Sequence, residues 1–178
     1  MHEETLSSSY LYRGKIINVR QDQVKTGDEK TAFREIVEHP GAVAILAVDE
    51  KEEIVLVRQH RQPAGEVLLE IPAGKIEPGE DPVDCARREL LEETGLEAAS
   101  WSELCCFYTS PGFCDEKIHL YLAERTSTGK NATGDPEENL KMEKILLKEA
   151  VNMIETGGIK DGKTIIAVQH AMIKRSNS

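Results

Sequence analysis

Residues 74–96 constrain this chain more than any other stretch, because they contain the signals for both ends of one helix. Asp81 can accept a hydrogen bond from a backbone N–H at a helix start, and Pro82 suits the first helical position. Gly95 suits the left-handed residue that often follows a helix. The spacing therefore predicts a helix over residues 82–94.

Two edges of this predicted helix differ in chemistry when successive residues are turned by about 100°. One edge is apolar and is formed by Val83, Ala86 and Leu90, with Leu91 at its border. The neighbouring edge is acidic and carries Glu89, Glu92 and Glu93. The apolar edge is expected to face the core.

The acidic edge has two possible interpretations. Glutamate-rich helix faces are usually just solvated. Three carboxylates this close would, however, repel one another, and a cation between them would keep them ionised. Oxygen donors without a His or Cys set favour Mg²⁺ or Mn²⁺ over Zn²⁺.

The spacing around the acidic edge matches a longer pattern, G-x5-E-x7-R-E-U-x-E-E-x-G-U, where U is aliphatic. Its specified places are filled by Gly74, Glu80, Arg88, Glu89, Leu90, Glu92, Glu93, Gly95 and Leu96. The pattern resembles the signature of the Nudix hydrolases, which cleave nucleoside diphosphates linked to another group. The resemblance implies an α/β fold, an α/β/α sandwich around a mixed sheet.

The same resemblance implies roles for the residues of the acidic edge. Glu89 and Glu93 are expected to be the principal metal ligands and Glu92 a third, and all three count as catalytic. The backbone carbonyl of Ala73 is a further expected ligand, and Arg88 is expected to orient the glutamates.

A second feature narrows the resemblance to the ADP-ribose pyrophosphatase group. Pro111 lies sixteen residues after Gly95, within Ser-Pro-Gly-Phe, and Glu-Ile-Pro-Ala-Gly occupies residues 70–74. Pro111-Gly112 also suits the middle of a type II turn. Glu116 in this loop is expected to activate or orient water, although a solvated loop acid is the alternative.

Substrate-binding residues also follow from the resemblance. Arg61 corresponds to a phosphate-contacting arginine, as an acidic protein would need for a diphosphate. Arg34 and Glu35 correspond to a region that contacts the adenosine half, often across a dimer interface. The remaining predicted substrate-binding residues are Glu70, Pro111 and Gly112.

The chain is expected to be a single domain overall, in which the first 39 residues form an N-terminal antiparallel hairpin ahead of the Nudix domain at residues 40–178. Residues 10–24 and 31–39 have strand composition, and residues 1–9 are expected to fray. A lone hairpin is marginal in water. Together with the resemblance, this favours a homodimer with swapped N-terminal strands.

The rest of the sequence predicts a mixed sheet with helices on its faces. Strands are expected at residues 42–48, 54–59, 67–71, 101–108, 117–123 and 141–147, helices at 149–155 and 163–174, and a loop at 127–139.

Charge and composition exclude several classes of function. The 178 residues include 32 acidic and 22 basic side chains, a net charge of -10, which argues against binding nucleic acid or anionic membranes. No apolar run approaches the ~18 residues of a membrane span, and the N-terminus lacks a signal-peptide pattern. These two observations predict a cytoplasmic protein. The four cysteines lack metal or disulfide spacing and are expected to be reduced.

The expected reaction is the hydrolysis of ADP-ribose, a small nucleotide-sugar substrate, to AMP and ribose 5-phosphate. Two alternatives are hydrolysis of another nucleoside diphosphate sugar or dinucleotide, and a domain that senses ADP-ribose without cleaving it. The intact signature disfavours the sensing domain.

Overall fold

The computed structural model describes residues 2–129 and 141–176. The described chain separates into two compact units. The first contains residues 2–41 and 107–118, and the second contains residues 42–106, 119–129 and 141–176. Within the described part, no helix is long and apolar enough to cross a membrane.

The first unit is built on a three-stranded antiparallel sheet in the order β1-β2-β3. Its strands are β1 (Glu4–Arg13), β2 (Asn18–Lys25) and β3 (Thr31–Glu38). The predicted turn between β2 and β3 is present, closed by a hydrogen bond from the Thr26 N–H to the Lys30 carbonyl at 2.8 Å.

The predicted two-stranded hairpin and frayed end need correction. Residues 4–9 form the first part of β1, and residues 14–17 turn the chain so that the single predicted strand at 10–24 becomes two. All ten side chains of β1 are exposed. The strand was missed because it has no alternation of buried and exposed side chains. It pairs with β2 through its backbone.

The second unit contains most of a seven-stranded sheet in the order β10-β5-β4-β9-β8, with β6 beside β5 and β7 beside β4. Its strands are β4 (Ala42–Val48), β5 (Glu53–Arg61), β6 (Glu66–Glu70), β7 (Ala73–Lys75), β8 (Leu96–Tyr108), β9 (Lys117–Thr128) and β10 (Lys141–Leu146). The helices are α1 (Pro82–Thr94), α2 (Leu147–Glu155) and α3 (Gly162–Ser176). The mixed sheet with helices confirms the predicted fold class.

The core lies around β4, whose continuous apolar run predicted a buried strand. Six of its seven residues are buried, as expected for a strand covered on both faces. Helix α1 packs Ala86 and Leu90 into this core as predicted, whereas Val83 is only partly buried and Cys85 is fully buried. Helix α3 also contacts β4.

Most predicted elements are confirmed, with a few changes in extent. Helix α1 has the predicted bounds, whereas β8 begins at Leu96, five residues earlier than predicted, and β9 continues to Thr128. The short strand β7 was not predicted. The predicted loop at 127–139 lies outside the described residues from residue 130 onward. All four cysteines are free thiols.

Helix α1 has the predicted caps at both ends. The Asp81 carboxylate accepts a hydrogen bond from the Val83 N–H at 2.9 Å. Gly95 has φ 67° and donates its N–H to the Leu91 carbonyl at 2.8 Å. The left-handed residue thus ends the helix immediately before β8.

We expect Gly95→Ala to lower the free energy of unfolding by about 1 kcal/mol, because a Cβ is strained at positive φ. Urea unfolding of the full chain measures this change. Gly112→Ala is the matched control, since Gly112 is outside the positive-φ region and an added Cβ would meet nothing within 4 Å. Equal losses in both variants would contradict the assigned role of Gly95.

Candidate active site

The acidic edge of α1 is fixed by a close approach between the helix and β7. A Cβ added to Gly74 would lie 1.8 Å from Glu89 Cδ. Strand β7 pairs with β4 through Val43 and Gly74, so the backbone beneath Glu89 belongs to the central sheet. Glycine is required here because the carboxylate occupies the space of a side chain.

Arg88 connects the acidic residues of this edge to the loop before the helix. Its guanidinium donates to both carboxylate oxygens of Glu80, at 2.9 and 3.0 Å. Its Nη1 donates to Glu89 Oε1 at 2.7 Å and to Glu92 Oε2 at 3.0 Å. Arg88 is therefore placed to orient the glutamates, as the resemblance implied.

The charges of this network shift the ionisation of Glu80 and Arg88. Hydrogen bonds from Arg88, followed by one from the Glu77 N–H, lower the pKa of Glu80 to about 2. The hydrogen bond with Glu80 is also the main cause that raises the pKa of Arg88. Both groups are consequently charged at neutral pH.

Glu93 is held by the backbone at the start of β7. Its Oε2 accepts a hydrogen bond from the Ala73 N–H at 3.1 Å. Thus Ala73 and Glu93, two predicted members of the metal site, lie side by side. Glu89 is mostly covered, with a side chain 14% exposed, whereas the Glu92 side chain is 49% exposed.

The donor chemistry of this edge fits a hard divalent cation, although its side chains are not gathered around a single point. Across residues 2–129 and 141–176, no three Asp, Glu, His or Cys side chains form a preformed cluster. The predicted ligands nevertheless provide oxygen donors alone, which suits such ions. The groups that suit such an ion are the carboxylates of Glu89, Glu92 and Glu93 and the carbonyl of Ala73.

Glu70 forms the centre of a second charged group at the end of β6. Its carboxylate is 1% exposed and accepts two hydrogen bonds from Arg61, from Nε at 2.8 Å and from Nη2 at 2.7 Å. Its Oε2 also pairs with Lys163 of α3. Arg61 and Glu70, two predicted substrate-binding residues, are thus in direct contact.

Burial is the largest influence on Glu70 and by itself raises the pKa of the carboxyl. The hydrogen bonds and charges of Arg61 and Lys163 outweigh it, so the pKa of Glu70 is lowered. The hydrogen bonds to Glu70 are also the main cause that raises the pKa of Arg61, and the charges of Asp161 and Glu93 act in the same direction.

The sequence interpretation missed Lys163 and the residues beside it. Asp161 accepts from Lys163 Nζ at 3.0 Å and from the Thr164 N–H at 3.0 Å. Thr164 in turn accepts from the Ile71 N–H at 2.9 Å. The Asp-x-x-Thr spacing at residues 161–164 was a signal that Asp161 caps the start of α3. It did not reveal that Thr164 would contact the backbone of Ile71.

The other predicted site residues lie in the first unit. Glu116 accepts a hydrogen bond from the Thr109 hydroxyl at 2.8 Å, and its other oxygen lies 3.4 Å from His39 Nδ1. Asp115 accepts from the His39 N–H at 2.8 Å. The loop acids are therefore anchored to the residues that follow β3.

The predicted type II turn at Pro111-Gly112 is wrong. Ser110 O accepts from the Phe113 N–H at 3.1 Å and from the Cys114 N–H at 2.9 Å, so a turn is present. Gly112 is not among the positive-φ residues, however, and a type II turn requires positive φ at that position. The prediction failed because a proline at this position of a turn suits type I geometry as well as type II.

Arg34 and Glu35 are exposed neighbours on β3. Arg34 donates from Nε to Glu3 Oε2 at 3.0 Å. Successive side chains of a strand point to opposite faces. These two residues are therefore presented on different faces of the three-stranded sheet.

Comparison with protein families assigns the chain to a known class. The NUDIX domain family matches residues 38–167, and the nucleoside diphosphate sugar hydrolase N-terminal domain matches residues 3–37. The chain belongs to the Nudix hydrolase family.

Similar individual proteins cover nearly the whole chain. A methanol dehydrogenase activator of Bacillus methanolicus is 43% identical across 98% of this chain and 95% of its own length. An ADP-ribose pyrophosphatase of Bacillus subtilis (strain 168) is 39% identical across 99% of this chain and 96% of its own. The crystal structure of an ADP compounds hydrolase has a TM-score of 0.87 and covers 99% of this chain and 96% of that chain, and at 19% identity it shows the shared fold.

We expect Gly74→Ala to reduce kcat at least about tenfold, because the added Cβ displaces the Glu89 carboxylate by more than 1 Å. Steady-state kinetics with a nucleoside diphosphate substrate and a divalent ion measure this effect. Gly27→Ala is the control, since the nearest atom to its Cβ would be 4.0 Å away. Unchanged kcat in folded Gly74→Ala would show that the position of Glu89 is unimportant.

Proposed function

We propose that this chain hydrolyses ADP-ribose to AMP and ribose 5-phosphate with Mg²⁺ or Mn²⁺. The main support is the intact acidic edge of α1, with Glu89 against Gly74 and Glu93 on the Ala73 N–H. The full-length similarity to an ADP-ribose pyrophosphatase supports the substrate.

The divalent ions would be held by Glu89, Glu92, Glu93 and the Ala73 carbonyl. When bound, such ions neutralise the diphosphate and lower the pKa of a coordinated water. Arg88 keeps Glu89 and Glu92 on one edge of the helix.

Other residues of the chain bind the substrate and direct the water. Arg61 donates to a phosphate oxygen, and the exposed Arg34 and Glu35 contact the adenosine half. Pro111 and Gly112 shape the loop that carries Glu116. Glu116 orients or deprotonates the water, whose oxygen joins one phosphorus while the bridging oxygen leaves with the other phosphate.

Another nucleoside diphosphate sugar is the second candidate substrate. The match of residues 3–37 to the nucleoside diphosphate sugar hydrolase N-terminal domain favours it. The chemistry would be the same, because the acidic edge acts on the diphosphate and the pocket selects the attached groups. The net charge of -10 disfavours a nucleic-acid substrate.

A homodimer with swapped N-terminal strands is part of the proposal. The first unit exposes Leu6, Leu11, Tyr12 and Phe33, each at least 50% exposed. Large apolar side chains exposed to solvent in one unit favour an interaction site there. A second copy of the chain would cover it, and would allow Arg34 and Glu35 to contact substrate held by the partner.

The cytoplasm is the proposed location of the enzyme. All four cysteines are free, and thiols persist in reducing compartments.

A substrate panel tests the proposed reaction directly. We expect ADP-ribose to give the highest kcat/KM among ADP-ribose, NADH, sugar nucleotides and nucleoside triphosphates, each assayed with Mg²⁺ and with Mn²⁺. Glu89→Gln and Glu93→Gln should each lower kcat by about a hundredfold or more, and Glu116→Gln by about tenfold.

Asp84→Asn is the control for these variants, because Asp84 lies on the same helix with a side chain 65% exposed. It should retain wild-type kinetics. A clear preference for triphosphates would overturn the proposed substrate, and normal turnover by Glu93→Gln would overturn the metal assignment.

Leu11→Glu should convert the dimer into a monomer, because a charge would enter the apolar interface. Light scattering after size-exclusion chromatography should give about twice 19.8 kDa for the wild type and 19.8 kDa for the variant. Ile173→Glu, at an exposed position on α3, should remain dimeric. A monomeric wild type would contradict the proposed assembly.

A further inference from the structure

Lys163 occupies an unusual position for a lysine. It is the second residue of α3, yet its side chain is only 10% exposed. A cation in the first turn opposes the positive end of the helix dipole, so helix stability does not favour a lysine here. Burial of an ammonium group is also unfavourable unless the group is paired. The position of Lys163 therefore requires an explanation from its partners.

Lys163 contacts two carboxylates that belong to different elements of the structure. Asp161 accepts from Nζ at 3.0 Å and also caps α3 through the Thr164 N–H. Glu70 takes the second contact and is 1% exposed. Lys163 therefore ties the N-terminal end of α3 to the final residue of β6.

Glu70 carries the effect of Lys163 to Arg61. The carboxylate binds Arg61 in a bidentate manner through Nε and Nη2. Within residues 2–129 and 141–176, no hydrogen bond engages Nη1 of Arg61. The Arg61 side chain is 39% exposed, so part of it can be reached by a ligand.

The backbone next to Glu70 leads directly to the active site. The Thr164 hydroxyl accepts a hydrogen bond from the Ile71 N–H at 2.9 Å. This is a second contact that ties the backbone beside Glu70 to α3. Ile71 and Pro72 connect Glu70 to Ala73, whose N–H binds Glu93. The charge of Glu93 also raises the pKa of Arg61, consistent with Arg61 lying near the acidic edge.

We propose that Lys163 is a positioning residue for diphosphate binding. By neutralising and fixing the Glu70 carboxylate, it holds the Arg61 guanidinium in one orientation, with Nη1 left to bind a phosphate oxygen. This inference rests on the proposed function, in which Arg61 contacts the diphosphate. Glu70 then acts on the substrate through Arg61 rather than by direct contact, because its side chain is 1% exposed.

The test compares Lys163→Met with the wild-type full-length protein in Mg²⁺. We expect KM for ADP-ribose to rise about tenfold while kcat falls less than about threefold, because ground-state binding through Arg61 is weakened. Lys163→Arg should recover most of the wild-type KM. Lys160→Met is the matched control, since Lys160 forms a surface pair with Glu66 and its side chain is 56% exposed.

A double-mutant cycle separates positioning from a general structural role. In an Arg61→Lys background, Lys163→Met should raise KM less than about twofold, because the effect of Lys163 passes through Arg61. Additive effects, or a wild-type KM in Lys163→Met, would overturn the proposal. If Lys163→Met does not fold, Lys163→Gln replaces it, because the amide keeps a polar group beside Glu70 but removes the positive charge that neutralises it, and the same two outcomes apply.

Binding of ADP provides a readout that does not depend on hydrolysis. Calorimetry with ADP and Mg²⁺ should show about tenfold weaker affinity for Lys163→Met than for the wild type and Lys160→Met. A wild type that binds ADP but does not hydrolyse ADP-ribose would contradict the proposed function alone. Equal ADP affinities in all three proteins would contradict the role of Lys163.

Discussion

The pairing of Arg88 with three carboxylates is the interaction on which the candidate active site depends. Glu89 and Glu92 lie on one helical edge, where like charges repel, and Glu80 comes from the preceding loop. One guanidinium offsets that repulsion and fixes the direction of each group. Because Glu89 also lies directly against Gly74, the helix cannot rotate or withdraw without losing this arrangement.

The central sheet gives the acidic edge a rigid support. Strand β7 places Gly74 and Ala73 beside β4, the most deeply buried strand, and α1 packs Ala86 and Leu90 into the same core. The carboxylates of the acidic edge therefore project from an element that is fixed on two sides. Such rigidity allows charged groups to be held in place before substrate arrives.

The sequence predicted the acidic helix well, because its signals are local. Asp81, Pro82 and Gly95 mark the helix ends within the segment itself, and periodicity separates Ala86 and Leu90 from the acidic edge. The fold class followed from the signature pattern. Strand β1 was missed because its side chains are uniformly exposed, and the Pro111-Gly112 turn was misassigned because that pair permits more than one turn type.

The group around Glu70 could not be predicted from local sequence. Lys163 and Glu70 are 93 positions apart, and neither has a neighbouring residue that identifies the other as its partner. Only the packing of α3 brings them together. The sequence singled out Glu116 because of its place in the loop after Pro111. Its contacts with Thr109 and His39 could not be predicted, because they require the loop to lie beside the end of β3.

The central claim is that carboxylates of α1 bind the divalent ion, and Mn²⁺ binding followed by electron paramagnetic resonance tests it most directly. Titration of the wild type in the presence of AMP should show bound Mn²⁺, and Glu93→Gln should weaken its affinity by about tenfold or more. Asp84→Asn should bind Mn²⁺ as the wild type does. Wild-type Mn²⁺ affinity in both Glu89→Gln and Glu93→Gln would contradict the account.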